Sequence, residues 1–293
     1  MLIAHNQYHI HMRFPNGLAK ALTLSYDDGV TEDIRLIEIM DRYGLKGTFN
    51  ICSGQYVREG ERSRPDRDYG QRMTYEAATA LYKNSGHEIA LHFNTHQSLD
   101  RLAPAQVAYE VIKNRELLEA QFGRIVRGMA YPYGAYSDEV VDVLRHCGVT
   151  YCRTTKSTLG FDIPTDWLRM PATCHHANEH LFELVDQFLN KKLTERHAPI
   201  LFYLWGHSFE FERDQNWDVI ERFGALMGGR DDVWYATNTE IYEYVEAYRA
   251  LIFSADRRIV KNPTAQTVWF CFEKQIYRVD AGETVVLYDR PVD

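Results

Sequence analysis

Residues 22–30 read LTLSYDDGV, and this stretch decides the fold. The alternation of apolar and small residues up to Tyr26 predicts a short buried strand, and the Asp-Asp-Gly that follows indicates a turn. In parallel α/β folds, ligands and chemistry collect at the carboxyl ends of strands. Of two neighbouring carboxylates there, one can bind a metal while the other stays free as a base. Taken alone, the stretch also allows a plain Asp-Gly turn with two solvated acids.

Strand and helix patterns alternate along most of the chain. Thr31 can cap a helix with apolar residues at helical spacing up to Tyr43, and Pro104 opens an amphipathic helix that runs to Phe122. Six or seven such strand–helix units predict an α/β fold built on a parallel sheet or barrel. The predicted strands cover residues 21–26, 46–51, 87–91, 125–131, 149–153, 199–205 and 233–236.

Some segments fall outside this alternation. From Ser254 onward the pattern changes to a period of two, which predicts a few antiparallel strands. We therefore expect a barrel domain over residues 1–253 and a small antiparallel β appendage over residues 254–293. The leading residues 9–14 alternate strictly and predict a strand or arm. The charged residues 54–72 predict a long surface loop.

Composition narrows the function classes. The chain has 293 residues and a net charge of −8, which disfavours nucleic acid and anionic membrane as main partners. No apolar run approaches the roughly 20 residues of a transmembrane helix, and the leading residues lack the pattern of a signal peptide. Five cysteines, an odd number without a Cys-x-x-Cys pair, are typical of reduced thiols. We therefore expect a cytoplasmic protein with no nucleic-acid or membrane partner, and nothing in the sequence indicates its oligomeric state.

His92 and His96 stand four residues apart, directly after a predicted strand. Two other His pairs in the chain share this spacing, so the position after the strand, where ligands converge, is the informative feature. Hydrolytic metal sites often take two imidazoles and one carboxylate and keep positions open for water. Asp28, His92 and His96 could supply such a set, whereas a surface pair on a helix is the alternative interpretation of the two histidines.

Further candidate site residues follow other predicted strands. Tyr131-Pro132-Tyr133-Gly134 predicts a rigid turn, and a backbone N–H near Tyr133 could serve an oxyanion, although a packing turn fits the same residues. His207 follows an apolar strand on the same rim as the two aspartates, which suits a general acid, with a structural histidine as the alternative. His175 and His176 follow an irregular segment, where contact with substrate is a better interpretation than a second metal site.

These motifs, in this order, resemble the polysaccharide deacetylase family, which shares the NodB homology domain and is also carbohydrate esterase family 4. The resemblance extends over residues 20–250. It implies a distorted (β/α) barrel of about seven parallel strands and a divalent metal ion. The matching motifs are Ser25-Tyr26-Asp27-Asp28-Gly29, His92-x-x-x-His96, Tyr131-Pro132-Tyr133-Gly134 and Leu204-x-x-His207.

The resemblance implies roles for the residues in these motifs. Asp27 would be the catalytic base, and His207 would be the general acid. Asp28, His92 and His96 would bind one divalent metal ion, most often zinc, with cobalt, manganese and nickel as further candidates. The neighbouring carboxylates of Asp27 and Asp28 would thus have different functions.

The sequence departs from the family pattern at three places. Phe93 stands where Ser or Thr is usual, and Ala130 replaces the arginine that usually holds the base. Arg153, at the end of the next predicted strand, is the replacement that we favour, because a two-point Arg–carboxylate pair would fix the base. Arg169 is the second candidate. The Asp-rich fourth motif is not found after the next strand, and Asp166-Trp167 resembles only a displaced fragment of it.

The combined expectation is a metal-dependent hydrolase that removes an N-acyl group, with acetyl on an amino sugar or saccharide as the first choice. Because no export signal is visible, a soluble saccharide or a small amide fits at least as well as a cell-wall polymer. Two alternatives stay open: hydrolysis of cyclic imides or ureides at the same metal site, and an inactive carbohydrate-binding relative. The presence of both Asp27 and His207 argues against an inactive protein.

Overall fold

Strands and helices alternate through the described residues, which are 10–62, 70–194 and 196–287 of this computed structural model. The strands are β1 (Ile10–Arg13), β2 (Lys20–Asp28), β3 (Gly47–Ile51), β4 (Glu88–Leu91), β5 (Gly128–Ala130), β6 (Tyr151–Ser157), β7 (Met170–Ala172), β8 (Cys174–His175), β9 (Ile200–Gly206), β10 (Val233–Tyr235), β11 (Ile252–Phe253), β12 (Ile259–Lys261), β13 (Val268–Phe272), β14 (Gln275–Val279) and β15 (Thr284–Val286). The helices are α1 (Asp33–Arg42), α2 (Tyr75–Tyr82), α3 (Pro104–Phe122), α4 (Asp138–His146), α5 (Leu181–Asn190), α6 (Ser208–Arg213), α7 (Asp218–Met227) and α8 (Asn238–Arg249).

Several helices begin and end where the sequence provides caps, but the prediction that Thr31 caps α1 is wrong, because its hydroxyl donates to the Glu32 side chain and α1 starts without a side-chain cap. Pro104 occupies the first position of α3, where its missing N–H leaves no helical hydrogen bond unmade, and Gly123 ends the helix in the left-handed conformation with φ 65°. The hydroxyl of Ser137 accepts the backbone N–H of Val140 at the start of α4. Among the described helices, none combines the length and the apolar composition needed to cross a membrane.

A parallel sheet closes into a barrel around which the helices are arranged. Its strands are hydrogen-bonded in the order β7-β6-β5-β4-β3-β2-β9-β8. Closure comes from one extended segment, whose first part, β7, pairs with β6 and whose second part, β8, pairs with β9. Thr173 lies between the two parts and donates its backbone N–H to the Tyr203 carbonyl at 2.9 Å. The described strands therefore form a distorted barrel with seven strand positions, which confirms the predicted fold class.

Strand β2 occupies the centre of this arrangement. Along Lys20–Tyr26 it pairs with β9, while its other edge pairs first with β10 and then, from Leu24 to Asp28, with β3. Every residue of β2 is buried. The strand ends on Asp27 and Asp28 between the tips of β3 and β9, so the barrel places two carboxylates inside its carboxyl-terminal rim.

Apolar side chains from the barrel strands and the outer helices form the main core. The strands contribute near-continuous apolar residues because both of their faces are covered, as in other parallel sheets. Helices α1, α3, α5 and α7 pack their apolar sides onto the barrel. Fully buried members of this core include Leu24, Phe49, Leu91, Met129 and Phe202. The packing holds the strand ends, and therefore the rim, in fixed positions.

Two small antiparallel sheets lie outside the barrel. One has the strand order β1-β13-β14 and the other β11-β12-β15. The appendage strands predicted from Ser254 onward are therefore present, but the leading strand, predicted at residues 9–14, joins one of their sheets. Its residues Ile10–Arg13 pair with Trp269–Phe272. The division into residues 1–253 and 254–293 stays a prediction, and β1 ties the beginning of the described chain to the second of these segments.

The segment predicted as a surface loop, residues 54–72, is partly buried. Residues 63–69 of it lie outside the described residues. At its end, the Gln71 carbonyl accepts the Thr31 N–H at 2.8 Å, and Arg72 is only 7% exposed. The interpretation as a surface loop is therefore wrong for these last residues, because the chain returns there to the turn that follows β2.

Candidate active site

The ends of four barrel strands bring ionisable side chains together. Nε2 of His92, which directly follows β4, lies 3.8 Å from Oδ2 of Asp27 and 3.9 Å from Oδ1 of Asp28. Nε2 of His207, which directly follows β9, also lies 3.8 Å from Oδ2 of Asp27. Arg153 reaches the same point from β6. The rim predicted from the strand ends therefore exists as one cluster.

Asp27 is held by two fixed donors. Its Oδ1 accepts the Asn50 amide at 2.8 Å, and its Oδ2 accepts one terminal N–H of Arg153. The expected two-point contact between Arg153 and the carboxylate is therefore wrong, because one guanidinium nitrogen alone reaches Asp27. Arg153 is fully buried and lies over the Trp205 ring, 4.3 Å from the ring centroid. Burial raises the pKa of Asp27, but Arg153, His92 and His207 together outweigh it, so the pKa lies below its usual value. Asp27 is therefore ionised at neutral pH.

The position of Arg153 explains how the base is held without an arginine at position 130. In the sheet, Arg153 on β6 is the direct partner of Ala130 on β5. The guanidinium thus enters the rim from the strand position beside the one where the family has its arginine. Arg169 does not reach the rim, because it pairs with Asp166 at 2.8 Å and with Asp138 at 2.6 Å on the surface.

Asp28, His92 and His96 form a second group beside Asp27. Nε2 of His96 lies 3.5 Å from Oδ1 of Asp28. Nδ1 of His92 lies 2.9 Å from the Ala130 carbonyl oxygen, which can only accept, so the ring carries its hydrogen there and Nε2 presents a lone pair. Burial, followed by the neighbouring His92, lowers the pKa of His96 to about 3, and burial also lowers the pKa of His92. Both imidazoles are neutral and available as ligands.

This donor set fits a divalent metal ion. Ligand atoms on one zinc ion lie about 3–4 Å apart, because each metal–ligand distance is about 2.0–2.2 Å. Oδ1 of Asp28 is 3.5 and 3.9 Å from the two imidazole nitrogens, which agrees with that spacing. The thiol of Cys52 is also near, but it donates to the His92 carbonyl at 3.0 Å, and burial raises its pKa. A protonated thiol is not a metal ligand.

Arg72 belongs to this second group, although no sequence motif identifies it as a site residue. It donates to Oδ1 of Asp28 at 2.8 Å and also to the Asp28 backbone carbonyl. Burial raises the pKa of Asp28, but Arg72 and the neighbouring histidines reverse this effect, so the pKa is well below its usual value. Arg72 follows a charged segment without periodicity, and its sole sequence signal was its own charge.

Strained backbone marks the rim. Asp28, Phe93, His96 and Tyr133 have φ values of 91°, 63°, 57° and 58°, in the left-handed region that residues with a side chain rarely adopt. Each such residue costs about 1–3 kcal/mol and persists only where its surroundings fix it. The apolar Phe93, found where the family has Ser or Thr, is fully buried in the main core and can anchor this turn. Backbone strain of this kind clusters at active sites, which agrees with a functional role for the rim.

Tyr133 lies beside the metal-ligand candidates. Its ring contacts His96 edge-on, with the centroids 4.6 Å apart, and the residue is 67% exposed. Gly134 keeps the turn close to β6, because a Cβ at this position would lie 2.2 Å from the Thr155 hydroxyl. The structure thus places Tyr133 at the mouth of the rim. The predicted oxyanion role of its backbone N–H stays a prediction.

A third group surrounds His207. Its members are His175, His176 and Glu210, and the last of these was not predicted. Oε2 of Glu210 lies 3.1 Å from Nε2 of His175, 3.3 Å from Nε2 of His176 and 3.3 Å from Nδ1 of His207. The spacing His-x-x-Glu at the start of a helix was the signal that could have identified Glu210, since residues three apart lie on one side of a helix.

A fragment resembling the fourth family motif, Asp166-Trp167, does not join the site. The indole N–H of Trp167 donates to Glu246 at 2.9 Å, and Asp166 caps the turn that carries Arg169. The rim thus offers the ionised carboxylate of Asp27, a donor set of two neutral imidazoles and the Asp28 carboxylate, and a histidine on the other side of Asp27. Such an arrangement can take a proton from water and return one to a leaving group.

Comparison with known proteins shows a similarity over the first half of the chain, which contains Asp27, Asp28, His92 and His96. Residues 15–152 match the family model described as polysaccharide deacetylase. A chitooligosaccharide deacetylase from Bradyrhizobium sp. (strain ANU 289) is 26% identical over 155 residues, which cover 51% of this chain and 60% of that protein. The chain therefore spans less than two thirds of the length of that relative.

A solved structure has a similar fold. It comes from Mycobacterium smegmatis, and its name assigns it to the polysaccharide deacetylases. The two chains align with a TM-score of 0.56 and 18% sequence identity, over 82% of this chain and 94% of the other. At this identity the likeness concerns the fold, which is the same type of barrel over most of both chains.

Proposed function

We propose a function from the premise that residues 15–152 belong to the polysaccharide deacetylase family, as the sequence motifs predicted. The protein is a metal-dependent hydrolase that removes the acetyl group from an N-acetylated amino sugar. The observation that carries the proposal is the environment of Asp27. Its carboxylate is kept ionised by Arg153 and lies 3.8 Å from both a metal-ligand candidate, His92, and an acid candidate, His207.

Asp28, His92 and His96 would hold the metal, with zinc as the first candidate and cobalt, manganese or nickel as the others. Their geometry and neutral imidazoles support this assignment. A divalent metal at this point polarises an acyl oxygen and lowers the pKa of water. The hydrogen bond from His92 to the Ala130 carbonyl fixes the ring that would bind it.

Asp27 acts as the base. It takes one proton from the attacking water as the water oxygen forms a bond to the acyl carbon. Arg153 and Asn50 do not move with the reaction, because both are buried and hydrogen-bonded to this carboxylate. They keep the carboxylate in one orientation, and positioning of this kind is what makes proton transfer efficient.

His207 acts as the acid. As the C–N bond of the acetamide breaks, Nε2 of His207 gives a proton to the leaving nitrogen, so the products are acetate and a free amine. Burial lowers the pKa of His207, but the bond to Glu210 and the charges of Asp27 and Asp28 outweigh it and raise the pKa overall. The backbone N–H of Tyr133 stabilises the oxyanion that forms on the acyl group.

The substrate side of the proposal concerns the mouth of the rim. The exposed ring of Tyr133 and the partly exposed His175 lie on either side of it and are suited to contact a sugar ring. Cys52, Cys147, Cys152 and Cys174 are free thiols, which supports a reducing compartment such as the cytoplasm and hence a soluble saccharide. Titration of thiols in protein isolated without reductant checks the compartment; disulfides would contradict it.

The test is acetate release by the zinc-loaded protein. N-acetylglucosamine oligomers of increasing length would be compared with cyclic imides under the same conditions, with Asp27→Asn as the inactive reference. We expect turnover of the acetylated sugars that is lost on chelation and restored by zinc. Faster opening of cyclic imides would point to the alternative activity, and sugar binding without any turnover would point to a binding protein; either result would overturn the proposal.

A further inference from the structure

We infer that Glu210 is the positioning residue for the acid: its carboxylate holds the Nδ1–H of His207, so that Nε2 faces Asp27 and the scissile bond. The inference rests on the proposed function of His207. It assigns to Glu210 a task that neither the sequence motifs nor the relatives indicate.

Glu210 contacts His207 at two points. Oε2 lies 3.3 Å from Nδ1 of the ring and accepts the backbone N–H of the same residue at 3.2 Å. Glu210 is three residues further on, in the first turn of α6, so the short helix brings the carboxylate back over its own start. The carboxylate thus lies next to both the backbone N–H and Nδ1 of His207, while Nε2 at the other end of the ring lies 3.8 Å from Oδ2 of Asp27.

His175 shows that this cluster is a set of hydrogen bonds and not a second metal site. Nδ1 of His175 accepts the backbone N–H of Ala177 at 3.1 Å, so in the neutral ring the hydrogen is on Nε2. That Nε2 lies 3.1 Å from Oε2 of Glu210 and donates to it. A protonated nitrogen cannot bind a metal, although His175, His207 and Glu210 together have the composition of such a site.

His176 supports Glu210 from the buried side. Its Nε2 lies 3.3 Å from Oε2, and its ring stacks on Phe211 and on Tyr26, with centroid distances of 4.1 and 5.8 Å. Burial lowers the pKa of His176 to about 4, so the ring is neutral. Gly206, the last residue of β9, makes this packing possible, because a Cβ there would lie 2.1 Å from Nδ1 of His176.

The three histidines keep Glu210 charged. Burial raises the pKa of Glu210, but the hydrogen bonds from His175, His176 and His207 outweigh it and hold the pKa far below its usual value. An ionised carboxylate on Nδ1 stabilises the imidazolium that His207 must be before it donates a proton. Glu210 therefore does for the acid what Arg153 does for the base.

The experiment compares two substrates whose leaving groups differ in their need for a proton. An N-acetylated amino sugar leaves as an amine and needs the acid, whereas 4-nitrophenyl acetate leaves as a stable phenolate and does not. Glu210→Gln should lower kcat on the sugar about 10²–10³-fold, within the usual range for general acid catalysis, while the rate on the ester falls less than about tenfold. KM for the sugar and metal content should stay unchanged.

Two further variants serve as controls. Glu183→Gln removes the carboxylate of another His–Glu pair with the same spacing, in which Nδ1 of His180 lies 3.1 Å from Glu183 on the surface. It should leave both rates unchanged. Glu210→Asp, which keeps the charge with a shorter reach, should recover part of the rate lost on the sugar in Glu210→Gln.

Equal losses on amide and ester, or a loss confined to KM, would overturn the role of Glu210 while leaving the proposed function intact. Absence of any wild-type turnover of acetylated sugars would instead overturn the proposed function. In that case, and also if Glu210→Gln does not fold, ¹⁵N NMR of the wild-type protein tests the role of Glu210, because it shows which ring nitrogen of His207 carries the hydrogen. His207 should carry its hydrogen on Nδ1 when neutral; a hydrogen on Nε2 would refute the inference.

Discussion

Asp27 and Asp28 are neighbours in the chain and equally buried, yet they face two different surroundings. On the Asp27 side, the donors Asn50 and Arg153 both come from barrel strands. On the Asp28 side, Arg72 comes from the segment before α2, and the imidazoles come from the turn after β4. One carboxylate is thus fixed by strands, and the other is bordered by loops.

The difference between the two surroundings supports the proposed division of roles, with Asp27 as the base and Asp28 as a metal ligand. Asp27 is surrounded by donors that keep it ionised and immobile, as a base requires. One oxygen of Asp28, Oδ1, lies 3.9 and 3.5 Å from the Nε2 atoms of two neutral imidazoles, a spacing that suits three ligands of one metal ion. The backbone of Asp28 is in the left-handed region, with φ 91°, which lets the side chains of these two consecutive residues face different surroundings. If this division is correct, substitutions on the two sides must have different consequences.

The largest effect is expected at His92. His92→Ala removes a ligand from the Asp28 side, so the purified protein should lose its metal and all turnover of acetylated sugar. Metal content by mass spectrometry and acetate release are the two measurements. His146→Ala, on the exposed face of α4, is the matched control and should change neither. Full metal occupancy in His92→Ala would show that the site is elsewhere.

The next largest effect is expected on the Asp27 side. Asp27→Asn should keep the metal but lower kcat roughly 10²–10⁴-fold, the usual contribution of a general base. Asp28→Asn should lose the metal itself. Parallel metal analysis and kinetics of the two variants test the division directly, because loss of metal in Asp27→Asn would mean that the roles are reversed or shared.

A smaller effect is expected from the arginine on the Asp27 side. Arg153→Lys keeps the charge but loses the planar guanidinium that lies over the Trp205 ring, so the base would be held less well and kcat should fall about 10²-fold with metal content unchanged. Arg169→Lys is the control, since Arg169 pairs with Asp138 and Asp166 on the surface. Normal turnover in Arg153→Lys beside a defective Arg169→Lys would contradict the assignment.

The smallest effect is expected from the arginine on the Asp28 side. Arg72→Lys removes the two-point contact with the Asp28 side chain and carbonyl, and loss of such an outer partner lowers metal affinity about tenfold. Competition with a fluorescent zinc chelator measures this affinity. The kcat of the fully loaded variant should equal that of the wild type. A changed kcat with unchanged affinity would place Arg72 on the side of the base instead.

Much of the rim could be predicted from the sequence because strand ends can be read locally. The strand before Asp27 and the strand before His92 have apolar patterns that end on polar residues, and parallel strands share one edge. The same reasoning favoured Arg153 over Arg169, and the sheet makes Arg153 the direct neighbour of Ala130. The family motifs supplied the roles, which the strand pattern alone left open.

Contacts between distant segments could not be predicted in this way. Arg72 lies after a charged stretch whose composition indicates exposure, and its burial depends on a return of the chain to the turn after β2. Alternation at residues 9–14 predicted a strand but could not name its partner, which is β13. Glu210 resembles an ordinary acidic residue in a first helical turn, and its three histidine partners become visible only when β8 and β9 are adjacent.

The central place of β2 has a consequence for how the chain folds during synthesis. One edge of β2 pairs with β9, and Lys20 pairs there with Ile200, which is synthesised roughly 180 residues later. Closing such a long loop is slow. Until β9 is in place, β2 has an unpaired edge with apolar side chains, and such edges promote aggregation. Pulse-labelled amide exchange during refolding should protect β2 no earlier than β9. The two carboxylates proposed for the site, Asp27 and Asp28, end this strand, so they would be among the last groups to reach their final positions.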